Sequence, residues 1–321
     1  MDLAFSSYEL GILSFGAIVA GIIILVKSGD WAISSAVAIA QRAKLSRMFI
    51  GATIIAFGTS IPELFTSVNA NMQGFPGISL GNIVGSNIAN VLLVLGAAAL
   101  VCTLSVRREA VMRDLAIMLI ATVIMIAGMI YGVFTFWMGV GMFALLASFI
   151  LWQYLRNEID TSEIDDESMS AVQAGGYLLG GLIGLGVGSE ILVKGAVTAG
   201  AVIGVPEAVI GMTAVAIGTS LPELTASIAA AVKRETDMLF GNIIGSNTFN
   251  ILSILGITAM LKPLDVDTTL TGFDMWFMAA VTVGFAVWLM MSIKITKTTG
   301  IAFLGAYAAF TLYQFSGVLG L

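Results

Sequence analysis

Glu63 and Glu223 are the residues of this sequence most able to do chemistry. Each directly follows a proline inside an apolar stretch, and the two stretches nearly repeat one another: GATIIAFGTSIPELFTS at 51–67 and GMTAVAIGTSLPELTAS at 211–227. A matching polar run follows each, GNIVGSNIANVLLVLG at 81–96 and GNIIGSNTFNILSILG at 241–256. The register is a constant 160 residues, and 21 of the 46 positions aligned between 51–96 and 211–256 are identical. Thr59 and Glu63 are spaced i, i+4, and Ser60, Glu63 and Ser67 are spaced i, i+3, i+7, so they share a face wherever helix persists. Asn82, Ser86 and Asn90 share another face, as do Asn242, Ser246 and Asn250. All are oxygen donors, which suits Ca²⁺ and other hard cations and disfavours soft metals. Two carboxylates balance the charge of one Ca²⁺.

The prolines extend the donor set to the backbone. Pro62 has no N–H and crowds the carbonyl of Gly58, where glycine adds backbone freedom. The helix is expected to open around 56–60 and release main-chain carbonyls. Such a break is tolerated in lipid only where it faces protein or a hydrated cavity. Pro222 and Gly218 repeat the device. A plainer account makes each proline a kink, lets Ser, Thr and Asn bridge helices, and leaves GNIVG and GNIIG as packing signals. The duplication weighs against it, because carboxylates inside a membrane are costly and usually functional.

These carboxylates must be carried by membrane-spanning helices. The chain of 321 residues is 58% hydrophobic and only 11% charged, against about a quarter charged in soluble domains. We expect an all-α integral membrane protein, with 36 glycines suited to close helix packing. There is no His, which removes His-ligated zinc and His-based acid–base chemistry. The lone Cys102 is expected to be a small core residue. Residues 1–9 lack Lys and Arg, so no cleaved signal peptide is expected.

Ten apolar segments fall at about 8–40, 47–72, 78–102, 111–132, 135–155, 171–203, 208–232, 238–261, 271–293 and 299–319. The first and sixth are long enough to tilt or bend. The acidic run RNEIDTSEIDDES at 156–168 reads as a solvated linker. The expected organisation is a first five-helix repeat at 1–156, a cytoplasmic linker at 157–170 and a second repeat at 171–321. Because five is odd, the second repeat enters the membrane from the opposite face. Inverted repeats are a common plan in secondary transporters, with the substrate site at the repeat interface.

With the N-terminus outside, the inner loops hold Arg42, Lys44, Arg47, Arg107, Arg108, Arg113, Arg156, Lys233, Arg234, Lys294 and Lys297, which is 11 of the 14 basic residues. Only Lys262 falls in an outer loop. This positive-inside bias places both termini outside a cell (plasma or inner) membrane. Lys27 with Asp30, and Glu190 with Lys194, read as local pairs within the first and sixth spans, or more sharply as parts of a conformational latch.

The paired GTS-[IL]-PE and GN-I-[VI]-GSN-x-x-N blocks resemble the α-repeats of the sodium/calcium exchanger family, in the calcium/cation antiporter superfamily. The short linker is similar to that of prokaryotic members. The resemblance covers most of the chain and implies Na⁺/Ca²⁺ exchange by alternating access, with spans 1 and 6 sliding across the other eight. It implies Ca²⁺ ligation by Glu63 and Glu223 with the carbonyls of Thr59 and Thr219. It implies flanking Na⁺ sites at Ala56, Thr59, Ser60 and Ser86 and at Ala216, Thr219, Ser220 and Ser246. Asn90 and Asn250 would line the middle. Potassium-dependent relatives carry Asp where this chain has Asn250, so the resemblance disfavours K⁺ co-transport here.

The expected partners are therefore Ca²⁺, Na⁺ and the lipid bilayer, with no organic cofactor, no nucleic acid and no enzyme activity. Three rivals remain at this stage. Protons could neutralise the same glutamates in a H⁺/Ca²⁺ antiporter. Acidic residues could line a channel pore. An intramembrane hydrolase is disfavoured because no nucleophile–base pair falls at a matched depth.

Overall fold

The computed structural model describes residues 7–42, 56–105, 108–156, 169–234, 236–266, 268–291 and 293–319. The acidic linker beyond Arg156, Lys44, Arg47 and Arg107 lie outside these residues. Ten helical segments follow in order: α1 (Ser7–Arg42), α2 in two pieces (Ala56–Thr59 and Ile61–Met72), α3 (Pro76–Val101), α4 (Arg108–Tyr131) and α5 (Phe136–Arg156). The second half repeats the order with α6 (Ala171–Ile203), α7 in two pieces (Glu207–Thr219 and Leu221–Val232), α8 (Thr236–Leu261), α9 (Phe273–Met290) and α10 (Lys297–Leu319). Among the described residues seven helices are long and apolar enough to span a membrane, and the bent pair of α7 makes an eighth.

Burial follows the duplicated sequence. α3 and α8, which carry the two polar runs, are enclosed by the other helices, whereas α1 and α5 present most of their surface outward. The outward side chains of these helices, such as Phe15, Trp137 and Leu155, are large and apolar, as a lipid-facing surface requires. Enclosure explains why α3 and α8 can carry asparagines and serines: each polar group meets protein and not hydrocarbon. Both helices also widen into a π-helical turn at the same register, Asn90–Val94 and Asn250–Leu255. Such turns displace side chains around them and are frequent at functional sites.

The long helices α1 and α6 run against one another along their length. Their backbones come so close that a Cβ on Gly21 would stand 2.7 Å from the Leu192 amide nitrogen. Of the two charged pairs expected in these helices, only one forms among the described residues. Lys194 Nζ donates to Glu190 Oε1 at 2.7 Å, with both side chains exposed. Lys27 and Asp30 are exposed and form no ion pair with one another, which corrects the expectation of a matched pair in each half. The i,i+3 order Lys27–Asp30 is the weaker helical arrangement for opposite charges.

α2 and α7 break where the prolines predict, over a shorter stretch than expected. Ala56–Thr59 remains helical and the break falls at Ser60 alone, with φ −84° and ψ 3°. Ser220 repeats it with φ −83° and ψ 9°, and the two pieces of α7 meet at 45°. The Ser60 amide still donates to the Ala56 carbonyl at 3.3 Å, so one missing donor at Pro62 is enough to turn the chain.

Small linkages at the two ends of the bundle repeat the register. Leu104 bridges Ile295, and the strands β1 (Val133–Phe134) and β2 (Leu264–Asp265) pair antiparallel, with Phe134 opposite Leu264. Leu104 and Leu264 are 160 residues apart. Two acids unremarked in the sequence reading follow the same rule. Asp114 accepts from Gln153 Nε2 at 2.7 Å, joining α4 to α5. Asp274 accepts from Gln314 Nε2 at 2.5 Å, joining α9 to α10. Cys102 is only half-buried and donates to the Ala231 carbonyl at 3.3 Å, so it ties α3 to α7 as well as packing.

Candidate cation site

The breaks in α2 and α7 place the two glutamates in one buried network. Glu63 and Glu223 are each 1% exposed. The bonds that hold them cross between the halves: Ser60 Oγ donates to Glu223 Oε1 at 3.1 Å, and Ser220 Oγ donates to Glu63 Oε1 at 3.0 Å. Each serine occupies the break of its own helix, so the turn that frees the backbone also aims the hydroxyl at the opposite repeat. The second oxygen of each carboxylate, Oε2, has no hydrogen-bond donor among the described residues. Neither carboxylate makes an ion pair there. Two buried acids without a cationic side chain call for cationic cargo or protons, since uncompensated charge in the interior costs several kcal/mol per ion.

α3 closes one side. Asn82 Nδ2 donates to Ser67 Oγ at 2.9 Å and to the Glu63 carbonyl at 3.4 Å, while Asn82 Oδ1 accepts from Thr219 Oγ1 at 3.1 Å. The arrangement in the other half is looser. Asn242 Nδ2 donates to Ser227 Oγ at 3.3 Å, and Asn242 Oδ1 has no partner. Thr59 Oγ1 donates to the Ala56 carbonyl at 3.1 Å, while the single hydroxyl hydrogen of Thr219 has the Val215 carbonyl, also at 3.1 Å, as the alternative acceptor to Asn82 Oδ1. Ala56 and Ala216 are fully buried beside them, able to contribute only backbone oxygen.

Buried oxygens without a donor are the useful ones for a hard cation. Beyond Glu63 Oε2 and Glu223 Oε2 they include Ser86 Oγ, Ser246 Oγ, Asn90 Oδ1 and Asn250 Oδ1. All four residues were singled out from the sequence as ion ligands. A buried acceptor or hydroxyl left unpaired costs about 1–3 kcal/mol, so this concentration in one enclosed core fits the oxygen coordination of Na⁺ or Ca²⁺. Two further residues went unrecognised. Asn87 and Asn247 are buried at the centre, and Asn90 Nδ2 donates to Asn247 Oδ1 across the halves at 3.0 Å. The signal was available: both stand in the duplicated GSN triplets at the same register.

Inverted repeats with paired broken helices and an oxygen-lined core at their junction define a membrane cation antiporter. The chain belongs to the sodium/calcium exchanger family: the family model described as "Sodium/calcium exchanger protein" matches residues 13–155 and again 174–316, one match per repeat. Among its relatives, sodium/calcium exchanger MaX1 of Methanosarcina acetivorans is 30% identical over 94% of this chain and 99% of its own length. Inner membrane protein YrbG of Escherichia coli is 31% identical over 86% of this chain and 88% of its own. A solved structure of the sodium-calcium exchanger NCX_Mj, soaked with 10 mM Na⁺ and 10 mM Sr²⁺, superposes with a TM-score of 0.66 at 34% identity, covering 93% of this chain and 97% of that one. The protein is a multi-pass membrane transporter of the cation/Ca²⁺ exchanger type and not an enzyme.

Proposed function

We propose that this protein exchanges Na⁺ for Ca²⁺ across a cell membrane. One Ca²⁺ is bound between Glu63 and Glu223, helped by the backbone of Thr59 and Thr219. Na⁺ uses the flanking oxygens of Ala56, Ser60 and Ser86 and of Ala216, Ser220 and Ser246. Asn90 and Asn250 line the centre. The observation that carries this reading is the crossed pair of buried carboxylates, each with one oxygen fixed by the opposite repeat and the other unpartnered. Ca²⁺ cancels the charge of both carboxylates. Empty, the site would leave two negative charges in a low-dielectric core, so the protein reorients when loaded and exchange is favoured over leak.

The deciding experiment is ⁴⁵Ca²⁺ uptake into proteoliposomes under imposed Na⁺, H⁺ or K⁺ gradients, with pH clamped by buffer and ionophore. An outward Na⁺ gradient is expected to drive uptake, which falls to the leak level when choline replaces Na⁺. Uptake that ignores Na⁺ and follows an imposed pH gradient would replace this reading with H⁺/Ca²⁺ exchange.

We also propose that both termini face outward, on the strength of the basic residues clustered in alternate loops. A protease site fused after the C-terminus is then expected to be cut from outside intact spheroplasts. Protection in spheroplasts with cleavage in lysed cells would reverse the orientation.

A further inference from the structure

An asparagine side chain is two-faced: one end accepts and the other donates. A cation can use only the oxygen, so an amide lining a cation site must be held the right way round. At the centre of this bundle one asparagine is held and its register mate is not. The Asn87 carbonyl can only accept, and Asn247 Nδ2 lies 3.4 Å from it. That contact turns Asn247 so that Oδ1 faces away from the Asn87 backbone, where it accepts from Asn90 Nδ2 at 3.0 Å. With its nitrogen committed, Asn90 has only Oδ1 left, and that atom is buried without a donor. A backbone carbonyl in one repeat thus sets the sense of two amides, and the last presents an oxygen.

The mate of this relay is missing. Asn87 gives its own Nδ2 to the Ile83 carbonyl of the same helix at 2.7 Å, and Asn87 Oδ1 is unpartnered. Asn250 has neither end of its amide bonded among the described residues. All four asparagines are 1% exposed or less, so solvent does not orient them.

We propose that Asn247 is a positioning residue, which holds the Asn90 amide with its oxygen available to the cation. The proposal rests on the reading of this core as a Ca²⁺ site and adds the unpartnered Asn90 Oδ1 to the oxygens that Ca²⁺ uses. It assigns Asn247 no contact with the ion. Groups that orient a ligand in this way alter metal affinity about tenfold to a hundredfold when removed.

The test uses the fact that a carboxylate has two equivalent acceptors and needs no orienting. Equilibrium binding of ⁴⁵Ca²⁺ is measured on the purified full-length protein in Na⁺-free buffer. Asn247→Ala is expected to weaken binding about tenfold or more with Asn90 present, and by less than about threefold in an Asn90→Asp background. Asn247→Leu, with the same branched skeleton and no polar atoms, should reproduce the pattern and covers the case in which the alanine variant does not fold. An equal loss in both backgrounds would show a structural role only and overturn the proposal, as would no loss beside Asn90. Glu63→Gln is measured in parallel. If it binds Ca²⁺ like the parent, the site reading itself fails; if it does not bind and the two backgrounds behave alike, only the role of Asn247 is lost.

Discussion

Replacement of Glu63 by glutamine is expected to reduce Na⁺-driven ⁴⁵Ca²⁺ uptake by more than about a hundredfold. Glutamine has the size of glutamate, and its carbonyl oxygen can still accept from Ser220 Oγ. That single bond decides the outcome. Once the oxygen is held by Ser220, the amide nitrogen takes the place of the unpartnered Oε2 and turns hydrogens toward the ion. Site charge also falls from two to one, leaving Ca²⁺ half-compensated in a buried setting. Removing one partner of a buried charge pair typically costs about 3–5 kcal/mol, which is a factor of about a hundred or more. Glu223→Gln is expected to match it, because Ser60 holds Glu223 in the same way. Proteoliposomes loaded with Na⁺ and diluted into choline measure both. Uptake within about tenfold of the parent in either variant would refute the assignment of these carboxylates as ligands.

Substitution of Gly85 by leucine is expected to destroy the bundle without removing any of the proposed ion ligands. A Cβ at Gly85 would stand 2.5 Å from the Met212 carbonyl oxygen, 2.7 Å from Met212 Cα and 2.8 Å from Ala216 Cβ. Two of these atoms belong to the backbone of α7, so no rotamer change relieves the clash. α7 would have to move away from α3 and carry the Ser220 break with it. Overpacking of ordinary cores costs about 1–3 kcal/mol, and a clash against backbone in a fully buried crossing should exceed that range. The expected result is loss of the folded peak in size-exclusion chromatography, or a thermal midpoint lowered by many degrees in detergent. Gly305→Ala is the comparison: a Cβ there meets nothing within 4 Å, and its stability should stay within about 0.5 kcal/mol of the parent. Equal behaviour of the two variants would show that the α3–α7 crossing is not as tight as described.

Much of this molecule is legible from one sequence because the duplication prints the same physics twice. A single proline after a serine says little about depth or orientation. Two of them 160 residues apart, each before a glutamate, point to matched breaks, and Ser60 and Ser220 turn in the same way. The register also located the unpartnered oxygens of Ser86, Ser246, Asn90 and Asn250. What stayed hidden is pairing between the halves. Spacing along one helix says which residues share a face, and nothing about which face of another helix meets it. The crossing of Ser60 to Glu223, and of Asn90 to Asn247, is a property of the assembled interface. The Asp114–Gln153 and Asp274–Gln314 bonds were missed for a different reason: the acids obey the register, but their partners are offset by one position, 153 against 314. The missing Lys27–Asp30 pair had the opposite cause, since sequence spacing allowed a contact that exposed side chains do not make.

The exchange of serine bonds between the two halves has a consequence for descent. After a duplication, two copies ordinarily drift apart because each answers only for itself. Here a change at Ser60 alters the surroundings of Glu223, and a change at Ser220 alters those of Glu63. Neither copy owns a complete site, so neither can be lost, specialised or replaced by a cousin without its twin registering the change. The near-identity of the two GTS-x-PEL segments is what such mutual custody would leave behind, while 71–80 and 231–240, just beyond them, share no residue.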